Sequence, residues 1–505
     1  MKRKGEKNMN QFLDALTNET NYTLTANGSL AHKTTRSDLL DMFALAASYR
    51  GRTEDDCINL FKKAYQENPE YALKCLFYVR AVRDGQGERR YFRVVYKWLA
   101  YYDTAAARRN MKFIPELCRW DDLFCLFGTP LEAEMLDFVT KQLSLDVQSK
   151  TPSLLGKWMP SINTSSFETR NQAHAFRKYL KWTNKQYRKT LSILRARINV
   201  LERLMSAGRW DEIEFDKIPS KAGFKYRNAF ARRDVIKAKY ESFIKDENTT
   251  VNAGTLYPYE CVEEARKLNS WPYKTAHDDI KRLSINKYWE NLNDYFNGAT
   301  FNGLAIVDVS GSMYSGAASV APINVAISLG LYCADKAKGP FANHFITFSR
   351  NPQMVRVEGV DFCDKVWRMS DADWGMNTNL EAVFDMLLNT ALKNNVPQSE
   401  LPENLLIISD MDIDAATSGW GWGNSRSADT VMETARQKWS VYGYTLPKLV
   451  YWNVNAMRDQ FLDNDPNATY ISGFSPVIFE QLMSGKTGYE LMMEVLNKEC
   501  FAEIK

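Results

Sequence analysis

From about Thr35 to Met205, apolar side chains recur at intervals of three and four residues, the period of an amphipathic helix. In "RSDLLDMFALAAS" the repeat places Leu39, Leu40, Phe43 and Ala47 on one face. "CINLFKKAYQ" aligns Ile58, Phe61 and Tyr65, "YALKCLFYV" aligns Leu73, Leu76 and Phe77, and "RRYFRVVYKWLAYY" aligns Phe92, Val95, Tyr96 and Leu99. These runs recur about every 18 residues, so a helix pair occupies about 35 to 40, the length of HEAT-type repeats that stack into curved solenoids. "RWDDLF" at Arg119 is echoed by "RWDEIEF" at Arg209.

After about Thr300 the period changes. Short apolar runs at Leu304–Asp308, His344–Phe348, Leu405–Ser409 and Leu449–Asn453 read as strands, with a shorter one at Met354–Val357. Helical patterns fall at Val320–Lys336, Leu380–Lys393, Ala428–Trp439 and Glu490–Lys498. Strand–helix alternation of this kind predicts a doubly wound α/β domain with a mostly parallel sheet. The expected organisation is therefore a polar tail over residues 1–30, an all-α HEAT-like repeat domain over 31–300 and an α/β domain over 301–505.

The chain has 505 residues, 45% hydrophobic and 25% charged, and eight cysteines without a CxxC pair. Such a length exceeds one hydrophobic core, and no apolar run reaches the roughly 18 residues of a membrane-spanning helix. Reduced, mostly buried cysteines in a cytoplasmic, monomeric protein are expected. Charge changes the picture more. The net charge is +4 overall, yet residues 302–505 hold 15 Lys+Arg against 24 Asp+Glu, and residues 170–245 hold 20 basic against 7 acidic. A basic excess gathered in one window points to a polyanionic partner.

The first strand of the C-terminal half ends in "AIVDVSGSM", which supplies Asp308, Ser310 and Ser312 at alternating positions. One carboxylate and two hydroxyls on a tight loop converge on a point, a donor set suited to Mg²⁺ or Mn²⁺. Further along, "WGMNTNLEAVFDMLL" sets Thr378 before a helix, and "LLIISDMD" ends a strand in Asp410. This order of residues resembles the von Willebrand factor A domain and its metal-ion-dependent adhesion site. The resemblance implies that Ser310, Ser312 and Thr378 approach a divalent ion directly, with Asp308 and Asp410 acting mostly through water. Asp412 and Asp414 read as part of a solvated loop. No HExxH, G-x-S-x-G or Walker A motif occurs, so a binding role is expected and an enzymatic one is not.

Within the basic window, residues 172–205 read as one helix. On a wheel of 100° per residue its apolar stripe runs through Phe176, Leu180, Tyr187, Leu191 and Leu194, and a basic stripe of Lys178, Lys181, Lys185, Arg188 and Arg195 lies apart from it. Such a face would hold RNA phosphates. In "RDGQGERR", Gly85 and Gly87 suit a helix end and a helix start, whereas Arg83, Arg89 and Arg90 suit phosphate binding; both readings stay open.

A helical-repeat half followed by an A domain resembles the Ro autoantigen family of TROVE-module RNA-binding proteins. "YVRAVRDGQGERRYFR", "CRWDDLF", "LLGKWMPSINTSS" and "KIPSKAGFKYRNAFARRD" are similar to a Ro-related family of uncharacterised proteins from phages, plants and fungi. The resemblance implies a ring of helices bridged by the A domain, binding small noncoding or misfolded RNA and its single-stranded ends. The competing expectation is a scaffold that binds a partner protein's carboxylate through the metal.

Overall fold

The computed structural model describes residues 21–268, 275–314, 320–348, 352–371, 379–413, 431–463, 465, 468–483, 485–486 and 488–505. After a short hairpin of β1 (Tyr22–Leu24) and β2 (Leu30–His32), the N-terminal half is built of helices. They are α1 (Asp38–Leu45), α2 (Glu54–Glu67), α3 (Pro69–Arg80), α4 (Arg89–Tyr102), α5 (Thr104–Asn110), α6 (Ile114–Leu117), α7 (Glu132–Gln148) and α8 (Leu155–Trp158). There follow α9 (Phe167–Tyr179), α10 (Asn184–Arg197), α11 (Leu201–Ser206), α12 (Ser220–Phe230), α13 (Asp234–Lys245), α14 (Pro258–Leu268) and α15 (Ile280–Glu290). Local chemistry sets the joints. Thr53 caps α2 with a reciprocal bond to Asp56, and Asn68 both closes α2 and caps α3, which opens on Pro69. The echoed "RWD" segments both open 3₁₀ helices, Trp120–Leu126 and Trp210–Glu212, with Trp120 and Trp210 both buried.

The second half is an α/β domain. Its strands are β3 (Gly303–Asp308), β4 (His344–Phe348), β5 (Gln353–Arg356), β6 (Asn404–Ser409), β7 (Lys448–Asn453) and β8 (Thr469–Ser472), in the spatial order β5-β4-β3-β6-β7-β8. All pairings are parallel except β4 with the edge strand β5. Helices α16 (Pro322–Lys336), α17 (Phe362–Asp371), α18 (Leu380–Asn394), α19 (Val431–Val441), α20 (Val477–Leu482) and α21 (Gly488–Leu496) complete it. The all-α half and the doubly wound sheet are the layout expected of a HEAT-like plus A-domain chain. β8 escaped the sequence reading because "TYIS" is four residues long, too short to show alternation.

The expected polar tail ends differently from its reading. Residues 1–20 lie outside the described residues, but residues 22–32 form the hairpin, which joins the α/β domain. His32 and Phe461 exchange backbone hydrogen bonds of 2.7 and 2.8 Å. The expected single helix over 172–205 is likewise three helices. Lys181 and Asn199 take left-handed backbone angles, φ 54° and 49°, that end α9 and α10. A wheel drawn through both breaks puts residues on faces they do not share.

The α/β domain packs on both ends of the helical half. α14 and α15 pack on α16 and α17, while α1 and α3 pack on α21. At the chain's end, Asn110 Nδ2 donates to the Lys505 carbonyl at 2.5 Å, and Tyr71 Oη donates to Asn497 at 3.1 Å. The helical half also meets itself, because Tyr257 Oη donates to the Gln86 carbonyl at 3.1 Å. One contiguous apolar core runs through both halves.

Candidate metal centre and nucleic-acid interface

β3 and β6 are neighbours at the point where the order of strand connection reverses, the place where open α/β sheets bind ligands. Their register pairs Val307 with Ile408, so Asp308 stands beside Ser409 and one step from Asp410. Ser409 Oγ donates to Asp308 Oδ2, and Ser310 N donates to Asp308 Oδ1 at 2.8 Å. Ser310 Oγ and Ser312 Oγ lie 3.0 Å apart. Asp410 accepts from Asp412 N at 3.2 Å through Oδ1, while its buried Oδ2 has no partner among the described residues. Burial, then the Asp308 charge, pushes the Asp410 carboxyl well above the usual carboxylate range. Thr378 lies outside the described residues.

Two buried carboxylates side by side, two converging hydroxyls and an orphaned carboxylate oxygen fit a hard divalent cation, which would supply the missing positive charge. Among the described residues no three His, Cys, Asp or Glu side chains cluster; the donors here are two carboxylates and two hydroxyls.

Asp412 departs from the expected solvated loop. It is buried, and its Oδ1 accepts from Ala26 N and Gln460 Nε2, each at 3.1 Å. Thr25 Oγ1 donates to the Ile413 carbonyl at 2.7 Å, and Asn27 Nδ2 to the Asp412 carbonyl at 2.9 Å. The N-terminal hairpin thus grips the loop that carries Asp410. A polar sequence 385 to 388 residues away gave no local signal of this partnership. Asp414 lies outside the described residues.

The basic residues divide into two groups. Lys178, Lys181, Lys185 and Arg188 are exposed and form no ion pair among the described residues. Some other surface cations are paired, Lys141 with Asp137, Arg209 with Glu212 and Lys217 with Glu214. Arg195 belongs elsewhere: its guanidinium donates to the Gly156 and Met159 carbonyls, both at 2.9 Å, and to Ser161 Oγ at 3.2 Å. Burial pushes its pKa down. It anchors the loop after α8 and also lines the groove beside α10. Next to α10 runs a groove of about 530 Å³ whose lining includes Lys157, Trp158, Tyr187, Arg188 and Arg203. Trp158 lies under two cations, Lys157 at 5.3 Å and Arg119 at 4.7 Å from its ring centre.

Fold and site together define a two-domain protein: a helical half with a basic flank, joined to an α/β domain with an oxygen-rich centre at its switch point. The chain belongs to the family described as a domain of unknown function, DUF2828, whose model matches residues 25–121 and 126–297. A second domain of unknown function, DUF7788, matches residues 302–501. An uncharacterized protein of Acanthamoeba polyphaga mimivirus is 28% identical over 514 aligned residues, spanning 92% of this chain and 85% of the relative. Among solved structures, the Ro (RSR) protein of Deinococcus radiodurans is similar at 14% identity and a TM-score of 0.47, covering 93% of this chain and all of that one.

Proposed function

We propose that this protein is a non-catalytic, Ro-like RNA-binding protein. It holds small noncoding or misfolded RNA, with single-stranded ends, on the basic flank formed by α9 and α10. The observation that carries this reading is the set of exposed cations at Lys178, Lys181, Lys185 and Arg188, which have no carboxylate partner among the described residues. Arg188, on the edge of an aromatic-bearing groove, suits a flexible strand, with a phosphate on the cation and an unpaired base against Trp158. In the test, Lys181, Lys185 and Arg188 are changed together to Glu and RNA affinity is followed against salt. Each lost contact lowers the log K–log salt slope by roughly 0.7 for a single strand, so the slope should flatten by about two units. An unchanged slope rejects the assignment.

The same reading places Mg²⁺ or Mn²⁺ at Asp308, Ser310, Ser312, Thr378 and Asp410, where the ion would offer an open position to an oxygen ligand such as a partner protein's carboxylate. Calorimetry with Mn²⁺ should show one site in the native protein and none in Asp308→Ala. Equal affinity in both would remove the metal from the proposal.

A further inference from the structure

Where the α3–α4 loop meets the start of α14, the helical half encloses a second cavity, of about 470 Å³. Its lining carries five arginines and one lysine against a single glutamate, Glu88. These residues come from widely separated parts of the chain. Arg80 ends α3, Arg89 and Arg90 open α4, Arg119 precedes a 3₁₀ turn, and Lys221 lies on α12. Arg50 comes from the turn after α1, and Val320 of the α/β domain stands at the rim.

Three of the six cations are neutralised locally. Arg50 pairs with Glu88 at 2.7 Å, Arg80 with Asp122 at 2.7 Å, and Lys221 with Glu260. Asp122 is itself shared, because Arg93 Nε also binds it at 2.7 Å. The other three, Arg89, Arg90 and Arg119, have no ion pair among the described residues. Arg119 is the most exposed to this imbalance: burial, then the charge of Arg80, pushes its guanidinium below its ordinary pKa. Arg89 and Arg90 are exposed at the cavity's mouth and Arg119 is half-buried, so an anion entering the cavity would meet all three. The cavity also has an aromatic wall. Tyr257 and Tyr259 stack with ring centres 5.9 Å apart, and Lys221 Nζ lies 4.5 Å from the Tyr257 ring centre.

We infer that this cavity is a binding site for the di- or triphosphate group of a nucleotide, held by Arg89, Arg90 and Arg119 with the Tyr257 ring beside it. Three uncompensated cations match an anion of several charges better than a single phosphate diester. Planar guanidinium groups present paired donors to phosphoryl oxygens. The volume falls within the range of about 300–1,000 Å³ typical of small-ligand pockets. The same chemistry is offered by a free nucleoside di- or triphosphate and by a triphosphorylated 5′ end of RNA. The inference goes beyond the RNA surface on α9 and α10 and does not need it.

The test uses the full chain and calorimetry with pyrophosphate, inorganic phosphate and ADP. Pyrophosphate should bind at one site, more tightly than phosphate, and ADP should displace it. In the double variant Arg89→Gln, Arg119→Gln that affinity should fall by roughly tenfold or more. The melting temperature of the free protein should change little, because the relief of repulsion offsets the lost contact of Arg119 with the Trp158 ring and no ion pair is broken. Reversing Lys181, Lys185 and Arg188 to Glu should leave pyrophosphate binding intact, so the two proposals fail separately. A 5′-triphosphate RNA ten-mer that binds more tightly than its 5′-hydroxyl counterpart, with pyrophosphate abolishing the difference, identifies the RNA end as the ligand. Equal binding of the two oligomers with ADP still bound identifies the free nucleotide. Pyrophosphate that fails to bind, binds no better than phosphate, or binds the double variant unchanged overturns the inference.

Discussion

At the scale of single residues, two arginines show how much a partner decides. Arg282, on α15, is fully buried and clamps Asp361 with two bonds of 2.7 Å. Asp361 also accepts from Asn286 Nδ2 at 3.0 Å and Asp364 N at 2.7 Å. Burial raises the Asp361 pKa, but the bonds from Arg282 and its neighbours outweigh it and hold the carboxyl at about 2. A carboxyl lowered from its ordinary value of 3.8 contributes stability that is present above that pH and lost as pH falls toward 2. Asp361→Ala leaves the buried guanidinium with only the longer pair to Asp364, at 3.9 Å, and should cost about 3 kcal/mol in urea unfolding at neutral pH. The difference between wild type and Asp361→Asn should shrink as pH is taken from 4 to 2; a constant gap would show that the charge of Asp361 is not what matters. Arg188 and Arg195, seven residues apart on α10, should part company in the same assay. Arg195→Gln frees two backbone carbonyls and should destabilise by about 1–3 kcal/mol. Arg188→Gln touches no internal partner and should stay within about 0.5 kcal/mol, its effect appearing in RNA binding instead.

At the scale of elements, the hairpin β1–β2 is the piece whose role lies farthest from its own sequence. Its bonds from Thr25, Ala26 and Asn27 fall on Asp412 and Ile413, directly after the Asp410 position, where Met411 takes a left-handed φ of 67°. Removing residues 1–33 should therefore raise amide hydrogen exchange at Met411–Ile413, with exchange in α2–α4 unchanged. Unaltered protection there would mean that Gln460 holds the loop alone. The strands β3, β6 and β7 were legible because a buried parallel strand is a continuous apolar run, and "LAIV", "LLII" and "LVYW" are such runs. The paired "RWD" segments were legible for a similar reason, since each Trp had to be buried. Asp308, Ser310, Ser312 and Asp410 were legible as a set because each follows a recognisable strand. What sequence could not show is contact at long range. The helix breaks at Lys181 and Asn199 carry no Pro or Gly, so periodicity ran straight through them. Gly85 suggested a helix end, but the structural constraint is more severe: a Cβ there would sit 2.0 Å from the Tyr78 carbonyl oxygen. The six cations around the second cavity stand more than 170 residues apart at their extremes, Arg50 and Lys221, and only folding brings them together.

At the scale of the whole molecule, the α/β domain holds the helical half at both ends, and the two seams differ in kind. One is ionic and buried: Arg282 and Asp361 link α15 to the start of α17, and Trp289 stacks on Phe362 with ring centres 4.0 Å apart. The other is mostly apolar: Phe501 meets the edge of Tyr78, and the terminal Lys505 is tied to Asn110 through Nδ2 and through a 3.0 Å bond from its own N–H. Between them the apolar core is unbroken from Ala31 to Ile504. Domains within a chain unfold separately when the surface between them is small and polar, and together when it is large and apolar. This chain is of the second kind. Calorimetry should show one unfolding transition, and Asp361→Ala should shift it to lower temperature without splitting it, because the second seam still couples the halves. Truncating residues 499–505 in the Asp361→Ala background weakens both seams and should separate the transition into two, with the α/β part recognisable by its response to Mn²⁺ if the metal site is formed as proposed. Two transitions already present in the native protein would show that the contacts at the seams do not bind the halves into one cooperative unit. The cavity at Arg119 and the groove at Trp158, which share that cation–ring contact, would then depend only on the helical half. A single transition makes both of them properties of the closed molecule.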